Sequence, residues 1–184
     1  MHLCRLQDAA AQPWRNGGGV TRELLAWPAS DNWLLRVSVA SIDRSGPFSA
    51  FPDVDRWFAV LEGPGVKLDL PEGELTLRPG SAPAHFQGEA APMCHVLGGA
   101  TRDLNLMSRR SAGRASLSPA EGGSERADGW RWRGLYAAEA LTLEVQGVAV
   151  ALQAGTLAWS DAMAPALWRR DASPAAAWWL TLSP

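Results

Sequence analysis

The chain is poor in the residues that most often carry electrophile, metal or redox chemistry. Lysine occurs once in 184 residues, at Lys67. It alternates with Val66, Leu68 and Leu70, as a solvated residue on a strand does and a desolvated Schiff-base amine does not. Cys4 and Cys94 are the only cysteines, too few and too far apart to announce a disulfide framework or a zinc site, which fits a reducing compartment. The three histidines, His2, His85 and His95, lack the close spacing of paired ligands on one strand, so no metal and no other cofactor is expected. A net charge of −2 offers no footprint for nucleic acid. The seven arginines against four acids between Arg102 and Arg133 read as a solvated rim. The opening "MHLCRLQDAAAQPW" has no charged region leading into an apolar one, and no run approaches the ~18 apolar residues of a membrane span. The expected location is cytoplasmic, with neither a membrane nor nucleic acid as partner. No GxSxG nucleophile elbow is present. After Gly17–Gly19 come Val20 and Thr21, where a P-loop would have Lys followed by Ser or Thr.

What the chain does have is 47% hydrophobic residues, ten tryptophans, eighteen glycines and thirteen prolines. Short two-periodic segments punctuated by Gly and Pro dominate, with almost no sustained 3.6-residue stripe, so the chain reads as all-β with few helices. The clearest strand runs from Trp33 to Ile42, with Leu35, Val37 and Val39 on one face and Arg36, Ser38, Ala40 and Ile42 on the other. Arg56–Glu62 and Val66–Leu70 read as a hairpin closed by "EGPG". Further strands are expected at 75–78, 94–97, 104–108, 131–135, 141–145, 148–152, 156–159 and 178–182. Residues 1–110 form an N-terminal half with the pocket, 111–129 a Ser/Gly-rich surface crossover, and 130–184 a C-terminal β half packed on the first. "GVKLDLPEGELTLRPG" and "GVAVALQAGTLAW" hint at an internal repeat. A sandwich, a jelly roll and a small barrel all satisfy this pattern.

The polar residues that stand out form four groups. "PWRNGGGVTRE" places Asn16, Thr21, Arg22 and Glu23 around three glycines that serve either a plain turn or a close backbone approach. Arg36, with Ser38 beside it, interrupts an apolar strand, and sequestering a guanidinium there costs several kcal/mol unless Glu23, Asp103 or a carboxylate ligand pairs with it. Arg56 follows "GPFSAFPDVD", which is either an ordered lip or a packed loop. In "GGATRDLNLMSRR", Thr101, Asp103 and Asn105 share one face of a strand. Trp14, Trp27 and Trp57 serve either the core or a pocket floor. If the protein is an enzyme, His85 and Asp103 are the candidate acid/base pair.

The four groups fall in three motifs, "PWRNGGGVTRE", "LLRVSVASIDRSGPFSAFPDVDRWFAVLEGPG" and "GGATRDLNLMSRR", which in this order and spacing closely resemble the HutD/Ves family of bacterial proteins over about the first 110 residues. The resemblance implies an RmlC-like cupin fold, a bicupin, and an association with histidine utilisation. It implies a metal-free binder of a small anionic intermediate, formylglutamate or urocanate, in a regulatory role. The ligand-binding residues would be Asn16, Thr21, Arg22, Glu23, Arg36, Ser38, Arg56, Asp103 and Asn105. A metal-independent isomerase or epimerase acting on a small acid is the alternative, and a homodimer is left open.

Overall fold

Alternation between Gly and Pro turns becomes nineteen strands among the described residues, with three one-turn 3-10 helices beside them. The computed structural model describes residues 1–123, 125–126, 130–162 and 166–184. The chain divides into two compact units, Ala9–Gly113 and Met1–Asp8 together with Arg114–Pro184.

In the Ala9–Gly113 unit a six-stranded sheet runs Ala11–Pro13, Gly19–Trp27, Leu35–Ile42, Thr101–Arg109, Val54–Glu62, Ala84–Gln87. A four-stranded sheet runs Gly46–Pro47, Met93–Val96, Val66–Leu70, Gly73–Leu77. Ile42, Phe48, Phe58, Val60, Val66, Leu68, Leu77, Phe86 and Cys94 form its core. The other unit has a five-stranded sheet, His2–Arg5, Thr156–Ser160, Trp132–Ala137, Ala177–Ser183, Arg114–Pro119, and a four-stranded one, Glu125–Arg126, Trp168–Arg170, Leu141–Val145, Val148–Leu152.

The two units repeat one topology. Counting the eight strands from Leu35 to Arg109 in chain order, the sheets are 1-8-3-6 and 2-7-4-5, and the eight strands from Arg114 to Ser183 give the same two orders. Each is a jelly roll, two sheets filled by alternate side chains. The internal repeat is therefore real at the level of topology, but its register differs from the sequence reading. The counterpart of the hairpin Val66–Leu70/Gly73–Leu77 is Leu141–Val145/Val148–Leu152, whereas Val148–Leu152 and Thr156–Ser160 lie in different sheets.

Two further expectations change. Val54–Glu62 and Val66–Leu70 do not pair, because "EGPG" carries the chain from one sheet to the other. Gly65 makes the crossing tight: it holds φ +102°, and a Cβ on it would lie 2.2 Å from the Leu77 carbonyl oxygen. Within 111–129, Arg114–Pro119 is a strand paired along its length with Ala177–Ser183, while positions 124 and 127–129 lie outside the described residues. Its small polar residues gave no apolar stripe, and Leu117 alone supplies a large buried aliphatic side chain there.

Gly65→Ala is expected to cost about 2–4 kcal/mol, from a disallowed φ plus a backbone clash. Gly73→Ala, also at positive φ but with open space around the site, should cost about 1 kcal/mol. Urea unfolding of the two variants measures the difference.

Candidate functional site

One face of the six-stranded sheet collects the polar residues in rows, because directly paired residues of antiparallel strands share a face. Arg36, Met107 and Arg56 form one row across three strands; Ser38, Asn105 and Phe58 form the next; Ala40, Asp103 and Val60 form the third. Above the first two rows lies a cavity of about 690 Å³ lined by Gln12, Trp14, Arg15, Asn16, Thr21, Arg36, Ser38, Phe48, Phe51, Arg56, Asn105 and Met107, among others.

Arg56 is buried. Its Nε (2.9 Å) and Nη2 (2.6 Å) both donate to Asn105 Oδ1, which leaves Nη1 outside that contact. The guanidinium carbon sits 4.3 Å from the Phe48 ring centroid and 5.6 Å from that of Phe86, two cation–π contacts that help hold a dry cation. Asn105 Nδ2 donates in turn to Asp103 Oδ1. Asp103 is 1% exposed, and its Oδ2 has no hydrogen-bond partner. Burial pushes the Asp103 carboxyl up to about 7 against the opposing pull of the Arg56 charge and the Asn105 bond, and burial draws Arg56 down to about 10. Desolvation thus outweighs the attraction of the pair, as it does where the two charges are not in contact.

Arg36 forms an ion pair with Glu23, Nε to Oε2, at 2.6 Å. The N–H does not point along that contact, so Nε is buried without a hydrogen bond. Both side chains keep partial exposure, 20% and 28%, so a ligand can compete for the guanidinium. Glu23 reaches this row diagonally: it pairs with Ser38, and a bulge follows before Leu25.

The glycine motif closes one side of the cavity. The Gly17 N–H donates to the Trp14 carbonyl (3.0 Å), and the Gly18 N–H to Asn16 Oδ1 (2.9 Å). A Cβ on Gly19 would lie 2.3 Å from the Ser41 carbonyl oxygen and 3.3 Å from the Trp14 ring, so this glycine permits a close backbone approach. Trp14 Nε1 donates to Thr21 Oγ1 (2.7 Å), and its ring meets Phe48 edge-on at 6.4 Å. Adjoining it is the lip Pro47–Phe51, tied by the Phe48 N–H to the Pro92 carbonyl and the Phe51 N–H to the Gly88 carbonyl, both 3.0 Å. Arg110 anchors the chain beyond it through Asp55 (3.1 Å) and Glu89, whose Oε1 accepts from the Asp53 N–H (2.8 Å).

Of the residues singled out in the sequence, Asn16, Thr21, Arg36, Ser38, Arg56 and Asn105 line the cavity. Glu23 and Asp103 sit behind it as partners of Arg36 and Asn105. Arg22 is not part of the lining; it lies between Thr21 and Glu23 on the strand and donates through Nη1 to the Ala9 carbonyl. The pairing of His85 with Asp103 does not form. His85 stands opposite Trp57, and Trp57 opposite Leu106, on the face away from Asp103, where His85 stacks on Trp57 at 4.5 Å. Phe48 and Phe86, the rings on Arg56, were not separable by sequence, although Phe48 lies in the stretch read as lip or loop. Among the described residues no group of three His, Cys, Asp or Glu is placed to hold a metal, and no helix is long and apolar enough to cross a membrane.

The second jelly roll offers an internal comparison. On the strands that correspond in sheet order, Arg133, Leu135 and Ala137 lie opposite Thr181, Trp179 and Ala177, as Arg56, Phe58 and Val60 lie opposite Met107, Asn105 and Asp103 in the first. Arg133 is again buried, but it donates to the carbonyls of Ala162 and Ala166, both at 2.9 Å. Trp179 and Ala177 belong to the hydrocarbon core, so the polar relay has no equivalent there.

Comparison with known proteins gives a match to the HutD family model over residues 6–178. The "uncharacterized 21.2 kDa protein in hutC 3'region" of Pseudomonas putida is 40% identical over 67% of this chain and 66% of its own length. "Protein Ves" of Cronobacter sakazakii is 36% identical over 59% of this chain and 60% of its own. The matches therefore span 66% and 60% of these relatives, less than two thirds of each. Among solved structures, a conserved protein of unknown function from Pseudomonas aeruginosa PAO1 has a TM-score of 0.90 at 28% identity, covering 100% of this chain and 98% of that one. HutD from Pseudomonas fluorescens SBW25, solved in a formate condition, has 0.85 at 24%, covering 99% and 97%. The oxalate decarboxylase of Bacillus subtilis has 0.66 at 10%, covering 100% and 77%. The last two likenesses concern the fold alone, an all-β cupin.

Asp103 has a folded-state pKa raised above its unfolded value, so its neutral form is favoured on folding. That contribution is present in full below about pH 4 and is lost as pH rises through about 7. The melting temperature is expected to fall between pH 5 and 8, and Asp103→Asn to flatten the fall and exceed the wild type at pH 8. Calorimetric melts at several pH values measure both.

Proposed function

The chain belongs to the HutD family, and from that premise we propose that its first jelly roll binds a small carboxylic acid between Arg36 and Arg56. We read the two units as tandem cupin modules, a bicupin in which the first module keeps an open cavity. The observation that carries the reading is the Arg56 guanidinium, buried under two phenyl rings and bonded only to a neutral amide oxygen. A desolvated cation without a carboxylate in contact is costly, and an anion bound through its remaining N–H groups offsets that cost.

The two arginines stand in one row with Met107 between them, about 10 Å apart at the backbone from the spacing of two strand intervals. That distance suits a molecule with two anionic ends, or one anionic and one polar end. Asn16, Thr21, Ser38 and Asn105 add amide and hydroxyl groups to the lining, which suits an acid that also carries an amide or an imidazole. The family name and the hutC region of the Pseudomonas putida relative point to histidine degradation, where formylglutamate and urocanate have this chemistry. The role is sensing such an intermediate in the regulation of its use. The alternative, an isomerase or epimerase, relied on a His85–Asp103 pair that lies on opposite faces of the sheet.

Calorimetric titration with formylglutamate, urocanate and glutarate tests the reading. Binding by at least one is expected, weakened about tenfold or more by Arg36→Gln and by Arg56→Lys, since a charge-assisted hydrogen bond contributes about 1.5–3 kcal/mol. Glu23→Gln, which removes the resident competitor for Arg36, should tighten binding. No heat of binding from any of the three acids, or full affinity in Arg36→Gln, overturns it.

A further inference from the structure

We propose that anion binding beside Arg56 is coupled to protonation of Asp103, with Asn105 as the neutral link, so that the cavity takes up a proton along with its ligand. The inference rests on the binding reading above. Its basis is the order of groups running back from the cavity: a buried guanidinium, a buried amide that accepts from it twice, and a buried carboxyl that accepts from the amide. The second carboxyl oxygen, Oδ2, is enclosed and has no hydrogen-bond partner, the place where a proton would sit.

The charge on Arg56 can be balanced in two ways. An ionised Asp103 balances it from behind through the amide, or a ligand anion balances it from the cavity side through direct hydrogen bonds. Both together would put two anions on one cation in a desolvated place, and like charges there disfavour each other's ionised form. Ligand binding therefore drives Asp103 to take a proton from solvent onto Oδ2, while the ligand carboxylate remains ionised against Arg56. No other bond is made or broken.

The groups around the relay leave Asp103 as the one that responds. Arg36, from the neighbouring strand Leu35–Ile42, is a second cation acting on Arg56, and it has Glu23 as its own partner. Cys94 faces the pair from the other sheet, with its thiol pushed up to about 12 by burial, so it stays neutral. The remaining side chains packed there, Phe48, Phe58, Val60, Val66, Leu68 and Phe86, do not titrate. The position of Asp103's titration near neutral pH places the exchange in an accessible range.

The test is calorimetric titration of the wild-type chain with formylglutamate and with glutarate, whose carboxyls are ionised throughout pH 6.5–9, in two buffers of different ionisation enthalpy. Affinity should hold steady toward pH 6.5 and fall up to about tenfold per unit above pH 7, the limit for linkage to one proton. The buffer dependence of the heat should report uptake of up to about one proton. Asp103→Asn should bind at pH 8.5 as tightly as the wild type does at pH 6.5, with no uptake. If that variant does not fold, the carboxyl carbon resonance of Asp103 in the wild type decides, since its titration must move to higher pH on saturation with ligand. Binding that is independent of pH with no proton uptake overturns the coupling and leaves the binding reading standing. So does an Asp103→Asn variant with the wild-type slope. Absence of binding at every pH overturns the binding reading and the coupling together.

Discussion

The Arg56 guanidinium is the constraint from which the rest of the site follows. It is buried by an apolar core, it is held by a carbonyl oxygen of Asn105 and not by a carboxylate, and it lies against Phe48 and Phe86. Each partner comes from a different part of the fold. Asn105 comes from the adjacent strand Thr101–Arg109, Phe86 from the strand on the other side, and Phe48 from the lip. Antiparallel register fixes these contacts, because a slip of one residue would turn Asn105 outward and bring Leu104 or Leu106 to the cation. The surroundings of Arg56 are thus a consequence of strand register together with the residues at these positions.

The second unit shows what that threading does without the relay. A buried arginine recurs on the corresponding strand at Arg133, where Nη1 and Nη2 donate to the main-chain carbonyls of Ala166 and Ala162, and the strand beside it presents Trp179 and Ala177 in place of an amide and an acid. The same sheet order carries the Arg56–Asn105–Asp103 relay in one copy and, among the described residues, Trp179 and Ala177 of a hydrocarbon core in the other, so topology alone does not make the relay. What distinguishes them is a handful of polar side chains on inward-facing positions of two strands.

The fold class was legible because alternation and Gly/Pro punctuation report strands directly: Leu141–Val145 and Val148–Leu152 appear with their expected bounds. Strand partners were less legible. "EGPG" has the chemistry of a hairpin turn, and nothing local says that Gly65 faces the Leu77 carbonyl across a sheet crossing. Arg114–Pro119 escaped notice because its small polar residues carry no apolar stripe; its place is set by pairing with a strand more than fifty residues away. In the site, Arg36 was conspicuous as a charge in an apolar strand, and the Asp103/Asn105 alternation pointed to one face. The dyad of His85 with Asp103 could not be judged from spacing, because facing depends on pairing across three strands. The phenylalanines on Arg56 are ordinary core residues by composition and acquire their role only through contact.

The most direct measurement of the central claim is a crystal structure of the protein grown at pH 6.5 with saturating formylglutamate. A ligand carboxylate within hydrogen-bond distance of the Arg56 guanidinium, its other end near Arg36, is the result the account predicts. A cavity holding water alone, with Arg56 unchanged against Asn105 and the acid absent or bound elsewhere, would contradict it.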